Sequence, residues 1–233
     1  MESVKQTPGT FYGVGVGPGD PELLTRKAVG VLERCPVLAT PRTRTGSSVA
    51  LEIVRGAVEL EGKTLLPLDF PMSREEGELR AAHRAAAEAV RPHLEAGRDV
   101  AMAVLGDVSL YSTFCYVMEI LREEGFPCAM VPGVPSFCAA AALLGRSLTR
   151  PDAPLHILPG GWEGAEGALD LPGTKVLMKS GRQYPRLLEE LDRRGMLEGA
   201  AMVENCGLPG QRAFPTLGDR PESTGYFTTI LLP

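Results

Sequence analysis

Long apolar stretches are missing from this 233-residue sequence. A membrane-spanning helix needs about 18 consecutive apolar residues, and no run comes close to that length. The first residues, MESVKQTPGT, also lack the basic region and the apolar core of a secretory signal. We therefore expect a cytoplasmic protein that has no membrane partner.

Histidine and cysteine are scarce. The three histidines fall at no metal-ligand interval, and the five cysteines are an odd number without paired close spacing. This predicts free thiols and no metal site, with each cysteine acting mainly as a small buried apolar residue.

Basic clusters are also absent. The net charge is -5, and no run of lysine and arginine could neutralise a phosphate backbone, which argues against a nucleic-acid partner. A polyanionic small molecule would have to be bound by a few local cations.

The 44% hydrophobic content is that of a globular protein with a proper core, and the length allows one large α/β domain or two small ones.

Short apolar runs rich in β-formers alternate with longer stretches of helical periodicity through the first half of the chain. This order predicts repeated βαβ units and a parallel sheet. The predicted strands are 11–16, 36–40, 64–68, 99–105 and 128–131, and the predicted helices are 21–34, 47–58, 73–96 and 113–124.

The alternating pattern of strands and helices changes after Val131, where Pro132-Gly133 ends the preceding strand. We place a domain boundary there, which gives domains 1–134 and 135–233. The second half opens with a helix of small residues, 135–144, and has one further clear helix, 184–194. Its predicted strands are 155–159, 174–179, 200–205, 211–217 and 226–232. The last two are joined by a short linker that favours antiparallel pairing between them, and hence a mixed sheet.

A glycine-rich loop, residues 13–22, lies between the first strand and the first helix. It fails the dinucleotide fingerprint, because neither alignment places glycine at the sixth position, and it lacks the Gly-Lys-Ser/Thr of a Walker loop. Gly17 and Gly19 instead let the backbone approach a substrate without interfering side chains. Asp20 is positioned to cap the helix predicted near Pro21, and a catalytic role is the alternative.

Two further loops follow predicted strands. Asp107, Tyr111 and Ser112 lie in LGDVSLYS, at the carboxyl end of the fourth strand, where open α/β sheets place their ligands; a turn followed by a helix cap is the alternative. VPGVPSF, residues 131–137, follows the fifth strand at the same edge. VENC, residues 203–206, ends a second-half strand and is weak by itself.

Together, GVGVGPGDPELLTRKAV, LGDVSLYSTFCYV, VPGVPSFCAAAALLG and VEN closely resemble the tetrapyrrole (corrin/porphyrin) methyltransferase family, in order and spacing, over nearly the whole chain. Within that family the motifs look most like the precorrin-2 or cobalt-factor-II carbon-20 methyltransferases. The resemblance implies an α/β fold of two domains, a parallel five-stranded sheet followed by a mixed five-stranded one. It further implies an active-site cleft between the domains, a homodimer, S-adenosylmethionine as cofactor and a tetrapyrrole as substrate.

The family's pattern also assigns cofactor contacts to positions of this sequence. They are Pro18, Leu105, Gly106, Asp107, Leu110, Pro135, Ser136, Met178 and Cys206. Three positions depart from the pattern: Val108 stands where proline is common, Pro135 where serine or threonine is common, and Cys206 where glycine or alanine is frequent. Proline at 135 has neither a hydroxyl nor an N–H to donate.

The implied chemistry is an in-line methyl transfer to a meso carbon, which must then lose a proton to water, Asp20 or Tyr111. The substrate's carboxylates call for cations near the site, and Arg42, Arg44, Lys179 and Arg182 lie at predicted strand ends or adjacent loops, although solvated surface charges would look the same. Three alternatives stay open: another target carbon, a non-catalytic binding protein, and a metal-free or a cobalt-bearing ring.

Overall fold

Strands and helices alternate along the first half of the chain, as the apolar runs predict. The structure, a computed structural model, describes residues 7–42, 48–73, 75–159, 165–179 and 184–233. The chain divides into two units between Pro135 and Ser136, one residue beyond the boundary placed from the sequence.

The first unit is a parallel five-stranded sheet with helices on both faces, as expected. The strand order is β3-β2-β4-β1-β5. Its elements are β1 Phe11–Gly15, α1 Arg26–Arg34, β2 Val37–Arg42, α2 Val49–Arg55, β3 Thr64–Asp69, α3 Glu76–Glu95, β4 Val100–Val104, α4 Phe114–Glu123 and β5 Cys128–Val131.

Strand β4 shows why this sheet has two cores. Its five residues are all buried, and successive side chains point to opposite faces of the sheet. Met102 packs with α3 and α4 on one face, whereas Ala101 and Ala103 pack with α1 and α2 on the other. A strand covered on both faces reads as a continuous apolar run, which is how β4 appears in the sequence.

The helix predicted from Pro21 to Arg34 is wrong in its first turns. Pro21–Leu23 form a short 3-10 helix, and α1 begins only at Arg26. The reason is Thr25, whose backbone is extended and whose hydroxyl accepts the N–H of Ala28 at 3.1 Å, so that it caps α1.

The second unit is a mixed five-stranded sheet with the order β6-β7-β10-β8-β9. Strand β10 runs antiparallel to both of its neighbours, β7 and β8. The elements are α5 Ser136–Leu143, β6 Leu155–Pro159, α6 Ala165–Ala168, β7 Thr174–Met178, α7 Tyr184–Arg193, β8 Ala201–Glu204, β9 Arg212–Phe214 and β10 Thr228–Leu232.

The mixed character of this sheet is as predicted, but the pairing of its last two strands is wrong. Strand β9 pairs with β8 and forms an edge, while β10 lies in the centre. Burial explains the difference: all five residues of β10 are buried, whereas β9 is largely exposed. An apolar strand such as TTILL is covered on both faces only at a central position.

Helices α7 and α5 cover opposite faces of the second sheet. Leu187 and Leu191 of α7 pack on Leu177 and Ile230, and Ala140 of α5 packs on Val203. None of the helices in the described ranges is long and apolar enough to cross a bilayer.

Candidate functional site

Three loops meet at the carboxyl edge of the first sheet. They follow β1, β4 and β5, which are neighbours in the strand order, and they span residues 16–25, 105–113 and 132–135. These are the three loops that carry the sequence motifs. The carboxyl ends of parallel strands are where open α/β sheets hold ligands, so the fold brings the motifs together at a suitable place.

The first and second loops are joined by a short backbone bridge between Gly17 and Gly106. The N–H of Gly106 donates to the carbonyl of Gly17 at 2.8 Å, and the reverse bond measures 3.2 Å. Both glycines have positive φ, 77° and 76°, a conformation that L side chains rarely adopt. A Cβ added at Gly106 would meet nothing within 4 Å, so the backbone there borders open space.

The end of β1 touches the third loop through Gly15 and Gly133. A Cβ on Gly133 would lie 2.3 Å from the carbonyl oxygen of Gly106 and 2.7 Å from the backbone of Gly15. A Cβ on Gly15 would lie 2.6 Å from the nitrogen of Gly133. Real Cβ atoms do not approach backbone this closely, so both positions require glycine.

Asp107 joins the second loop to the third. One carboxylate oxygen accepts the N–H and the hydroxyl of Ser109 at 2.8 and 2.5 Å, and the other accepts the N–H of Gly133 at 2.8 Å. Partial burial disfavours the charged form, but the Ser109 hydroxyl and the surrounding N–H groups outweigh it and lower the pKa of Asp107. Because both oxygens are engaged, Asp107 offers a ligand its backbone rather than its carboxylate.

Asp20 and Thr25 fix the ends of the first loop. The carboxylate of Asp20 accepts the N–H of Glu22 at 2.9 Å and caps the short helix, which is the structural role expected from the sequence. The hydroxyl of Thr25 lies 3.4 Å from the carbonyl of Pro132, to which it donates. Between them, Pro18 and Gly19 are buried.

Tyr111 and Ser112 follow Asp107 in different conformations. Tyr111 has a φ of 51°, an uncommon value for a bulky residue, and the residue is 44% exposed. Ser112 is buried, and its hydroxyl accepts the N–H of Phe114 at the start of α4, at 3.1 Å. Leu105 and Leu110 are half-buried on either side of the turn.

In the second unit, three of the expected cofactor positions gather around β10. Met178 and Val203 are the register partners of Thr229 on β7 and β8, so their side chains share one face of the sheet. Ser136 of α5 lies over that face, with its hydroxyl 3.1 Å from the hydroxyl of Thr229. Cys206 packs against Val203 on the same side, and burial raises the pKa of its thiol.

Two residues that directly follow strands of the second sheet have left-handed backbones, Lys179 after β7 and Asn205 after β8, with φ of 59° and 50°. The Nζ of Lys179 lies 5.9 Å from the ring centre of Tyr226, within the range of a cation–π contact. Backbone strain of this kind concentrates at functional sites.

Of the four cations expected to meet substrate carboxylates, Arg42 and Lys179 are described, and Arg44 and Arg182 lie outside the described residues. Arg42 makes a two-pronged ion pair with Asp69 at the carboxyl ends of β2 and β3, with N–O distances of 2.8 and 2.5 Å. This contact lowers the pKa of Asp69. Both side chains are exposed, so the guanidinium is accessible to an anionic ligand.

Thr229 is the residue of this arrangement that the sequence motifs missed. It lies in an ordinary strand sequence, TTILL, and only the pairing of β10 with β7 and β8 brings it beside Ser136 and Met178. No sequence signal points to it, because the observed position of β10 between β7 and β8 differs from the pairing that the short linker predicted.

The cysteines match the sequence prediction only in part. All five are free thiols; Cys35 and Cys206 are buried and Cys115 and Cys128 half-buried, but Cys138 is exposed. Among the described residues, no cluster of three or more His, Cys, Asp or Glu side chains could hold a metal ion.

Comparison with known proteins gives relatives over nearly the whole chain. A precorrin-2 C(20)-methyltransferase of a Sinorhizobium species is 33% identical, over 97% of this chain and 95% of its own. A cobalt-precorrin-2 C(20)-methyltransferase of Salmonella typhimurium is 34% identical, over 96% of both chains. The cobalamin biosynthesis protein CobIJ of Mycobacterium tuberculosis is 34% identical over 97% of this chain, which spans only 46% of that protein.

Solved structures agree on the fold. A cobalt precorrin-4 methyltransferase, CbiF, superposes with a TM-score of 0.75 at 22% identity, over 96% of this chain and 94% of its own. A uroporphyrin-III C-methyltransferase from Thermus thermophilus, complexed with S-adenyl homocysteine, gives 0.70 at 24% identity over 96% and 97%. The family model of tetrapyrrole (corrin/porphyrin) methylases matches residues 10–220. The chain therefore belongs to the tetrapyrrole (corrin/porphyrin) methylase family.

Proposed function

We propose that this protein transfers a methyl group from S-adenosylmethionine to carbon-20 of precorrin-2 or cobalt-factor II, in the synthesis of the corrin ring. The observation that carries the proposal is the joining of the three motif loops at one sheet edge, through the Gly17–Gly106 bridge and the Asp107–Gly133 hydrogen bond. The target carbon is taken from the names of the Sinorhizobium and Salmonella relatives.

The residues of the first sheet's edge fit the cofactor. Gly106 carries no side chain to fill the open space beside it, and its backbone is held in place by the two hydrogen bonds to Gly17. Preorganised backbone of this kind binds a polar ligand without paying to order it. In the first unit, the residues we assign to the cofactor are Pro18, Leu105, Gly106, Asp107, Leu110 and Pro135. In the second unit they are Ser136, Met178 and Cys206.

S-adenosylmethionine, when bound, supplies a methyl group already activated on a sulfonium. The protein's task is therefore alignment of this group with the nucleophilic carbon, and well-oriented reactions gain about 7–11 kcal/mol from proximity. The braced loops serve this purpose, because a loop tied by several hydrogen bonds holds one geometry. We assign Gly17 and Gly19 to the substrate side of the first loop, because neither carries a side chain that would stand between its backbone and the macrocycle.

We assign acceptance of the meso proton to Asp20. Its cap uses one carboxylate oxygen, and the other has no hydrogen bond within the described residues. Tyr111 is less suited to this role because burial raises the pKa of its phenol, which stays protonated at neutral pH. Tyr111 and Ser112 instead shape the second loop beside the substrate.

The cations Arg42, Arg44, Lys179 and Arg182 are proposed to bind the carboxylates of the tetrapyrrole. Arg42 supports this role by its exposure and by its two-pronged geometry on Asp69, which is the geometry that arginine uses toward carboxylates. A homodimer, which follows from the family resemblance alone, and a cytoplasmic location complete the proposal. Sedimentation at micromolar concentration tests the dimer directly.

The decisive experiment has two arms. A thermal shift with S-adenosylhomocysteine should raise Tm, because a ligand that binds only the native state stabilises it. Turnover with labelled S-adenosylmethionine should then be compared between precorrin-2 and cobalt-factor II, and NMR of the product should place the new methyl group on carbon-20. Binding without turnover of either ring would reject the catalytic proposal, and a methyl group elsewhere would reject the carbon-20 assignment.

A further inference from the structure

We propose that Thr229 is a positioning residue for cofactor binding: its buried hydroxyl donates to Ser136 and thereby commits the proton of the Ser136 hydroxyl to an acceptor atom of the cofactor. This inference rests on the proposed function, because it takes S-adenosylmethionine as the ligand of Ser136. No sequence motif includes Thr229.

The register of the second sheet places Thr229 at the centre of the cofactor positions. It pairs with Met178 on one side and with Val203 on the other, so the three side chains form a row across one face of the sheet. Helix α5 covers this face, and its first residue is Ser136. The row thus lies directly under the Ser136 hydroxyl.

Burial decides the direction of the hydrogen bond between the two hydroxyls. Thr229 is 4% exposed, and the Ser136 hydroxyl, at 3.1 Å, is its side-chain partner within the described residues. A buried hydroxyl has one proton to donate, and leaving it unpaired is costly. Thr229 therefore donates to Ser136, and the half-buried Ser136 keeps its own proton for another acceptor.

The residue before Ser136 makes this proton more important. Pro135 has no N–H and no hydroxyl, so it can donate no hydrogen bond to a ligand just before α5 begins. Ser136 is then the first side-chain donor of this segment. A donor whose direction is fixed before binding loses less entropy on binding than one that rotates.

The neighbouring Thr228 provides a matched control. It is also buried and also lies on β10, but it points to the opposite face, where its hydroxyl donates to the carbonyl of Gly225 at 2.9 Å. Its register partner is Glu204 rather than a cofactor position. Removing either hydroxyl perturbs the same strand, and only one of them lies under Ser136.

The test is calorimetric titration of S-adenosylhomocysteine into wild type, Thr229→Val, Thr229→Ser and Thr228→Val, with Tm measured for each. We expect Thr229→Val to raise Kd about three- to tenfold, the worth of one neutral hydrogen bond. Thr229→Ser should restore wild-type affinity, and Thr228→Val should lower Tm without changing Kd.

Two further variants extend the test: Ser136→Ala leaves β10 intact, and the double variant Ser136→Ala/Thr229→Val removes both hydroxyls. Since Thr229 acts through Ser136, the threonine substitution should have no further effect on Kd once the serine hydroxyl is gone. Equal Kd for Thr229→Val and wild type, or additive losses in the double variant, would overturn the inference alone. Failure of the wild type to bind would overturn the proposed function and the inference with it.

Discussion

The backbone N–H of Gly133 donates to Oδ2 of Asp107 at 2.8 Å, across 26 residues of sequence. The other oxygen of the same carboxylate holds Ser109, so one side chain fixes two of the three loops at the sheet edge. A second aspartate makes a similar bond at the other end of β4, where Asp99 accepts the N–H of Thr10 at 2.7 Å. The two bonds differ chiefly in their distance from the candidate site.

Asp107→Asn should weaken both stability and cofactor binding. An amide can accept at one atom only, so either Gly133 or Ser109 loses its acceptor, at a cost of about 1–3 kcal/mol. Asp99→Ala removes the acceptor of the Thr10 N–H and should lower the free energy of unfolding by a comparable amount, while leaving the Kd for S-adenosylhomocysteine unchanged. Urea denaturation and calorimetric titration of both variants measure the contrast. Identical Kd values in the two variants would show that the Asp107 bond does not order the cofactor loops.

The same carboxylate should make stability depend on acidity. The pKa of Asp107 is lowered in the folded state, relative to about 3.9 in an unfolded chain, so its stabilising contribution is present above that value and is lost as pH falls through the folded-state pKa. The gap in unfolding free energy between wild type and Asp107→Asn should be constant from about pH 5 to 7 and shrink below about pH 4. A gap that persists undiminished at pH 3 would contradict this account.

The sequence predicts the strands well because buried strands are short apolar runs separated by glycine and proline. Its errors arise where a side chain or a tertiary contact decides. Thr25 restarts the helix that periodicity extends back to Pro21, and the burial of β10 inserts this strand between β7 and β8. Neither effect is visible in the spacing of apolar residues.

The candidate site also has a part that the sequence pattern predicts and a part that only tertiary contacts determine. The three loops could be found from the sequence, since glycine, proline and aspartate follow predicted strands there. The Asp107–Gly133 hydrogen bond could not be found from the sequence. It joins the loops that follow β4 and β5, and these loops meet only because both strands pair with β1. Thr229 could not be found for the same reason: its relation to Ser136 exists only across the folded sheet.

Gly133→Ala should disrupt the loop contact. Its Cβ would stand 2.3 Å from the Gly106 carbonyl, and because backbone cannot rotate away as a side chain can, the loops must separate. We expect a loss of about 1–3 kcal/mol and weaker cofactor binding. Gly30→Ala is the control: it adds a methyl group to α1 where nothing lies within 4 Å, and it should stabilise by about 0.5–1 kcal/mol. Guanidinium denaturation compares the two, and wild-type stability in Gly133→Ala would disprove the close approach.

Arg42→Ala should raise the KM for the tetrapyrrole by about tenfold, with little change in kcat, because it removes a charge-assisted contact made equally in the bound substrate and the transition state. Arg55→Ala removes an equally exposed arginine from a 2.6 Å pair with Glu52 and should leave KM unchanged. Tm should stay constant in both, since exposed ion pairs contribute little. Steady-state kinetics decide, and equal KM values would remove Arg42 from the substrate site.

Asp20→Asn separates the two roles of this residue. Asparagine caps helices as well as aspartate does, so the N–H of Glu22 keeps its acceptor and Tm should not change. The amide cannot accept the meso proton, and loss of a general base lowers kcat by about 10²–10⁴.

Tyr111→Phe keeps the ring and removes a phenol whose pKa is already raised, so kcat should fall by less than about tenfold. Single-turnover rates of the two variants identify the proton acceptor. A larger fall in the rate of Tyr111→Phe would assign this role to the phenol, and an unchanged rate in both variants would assign it to water.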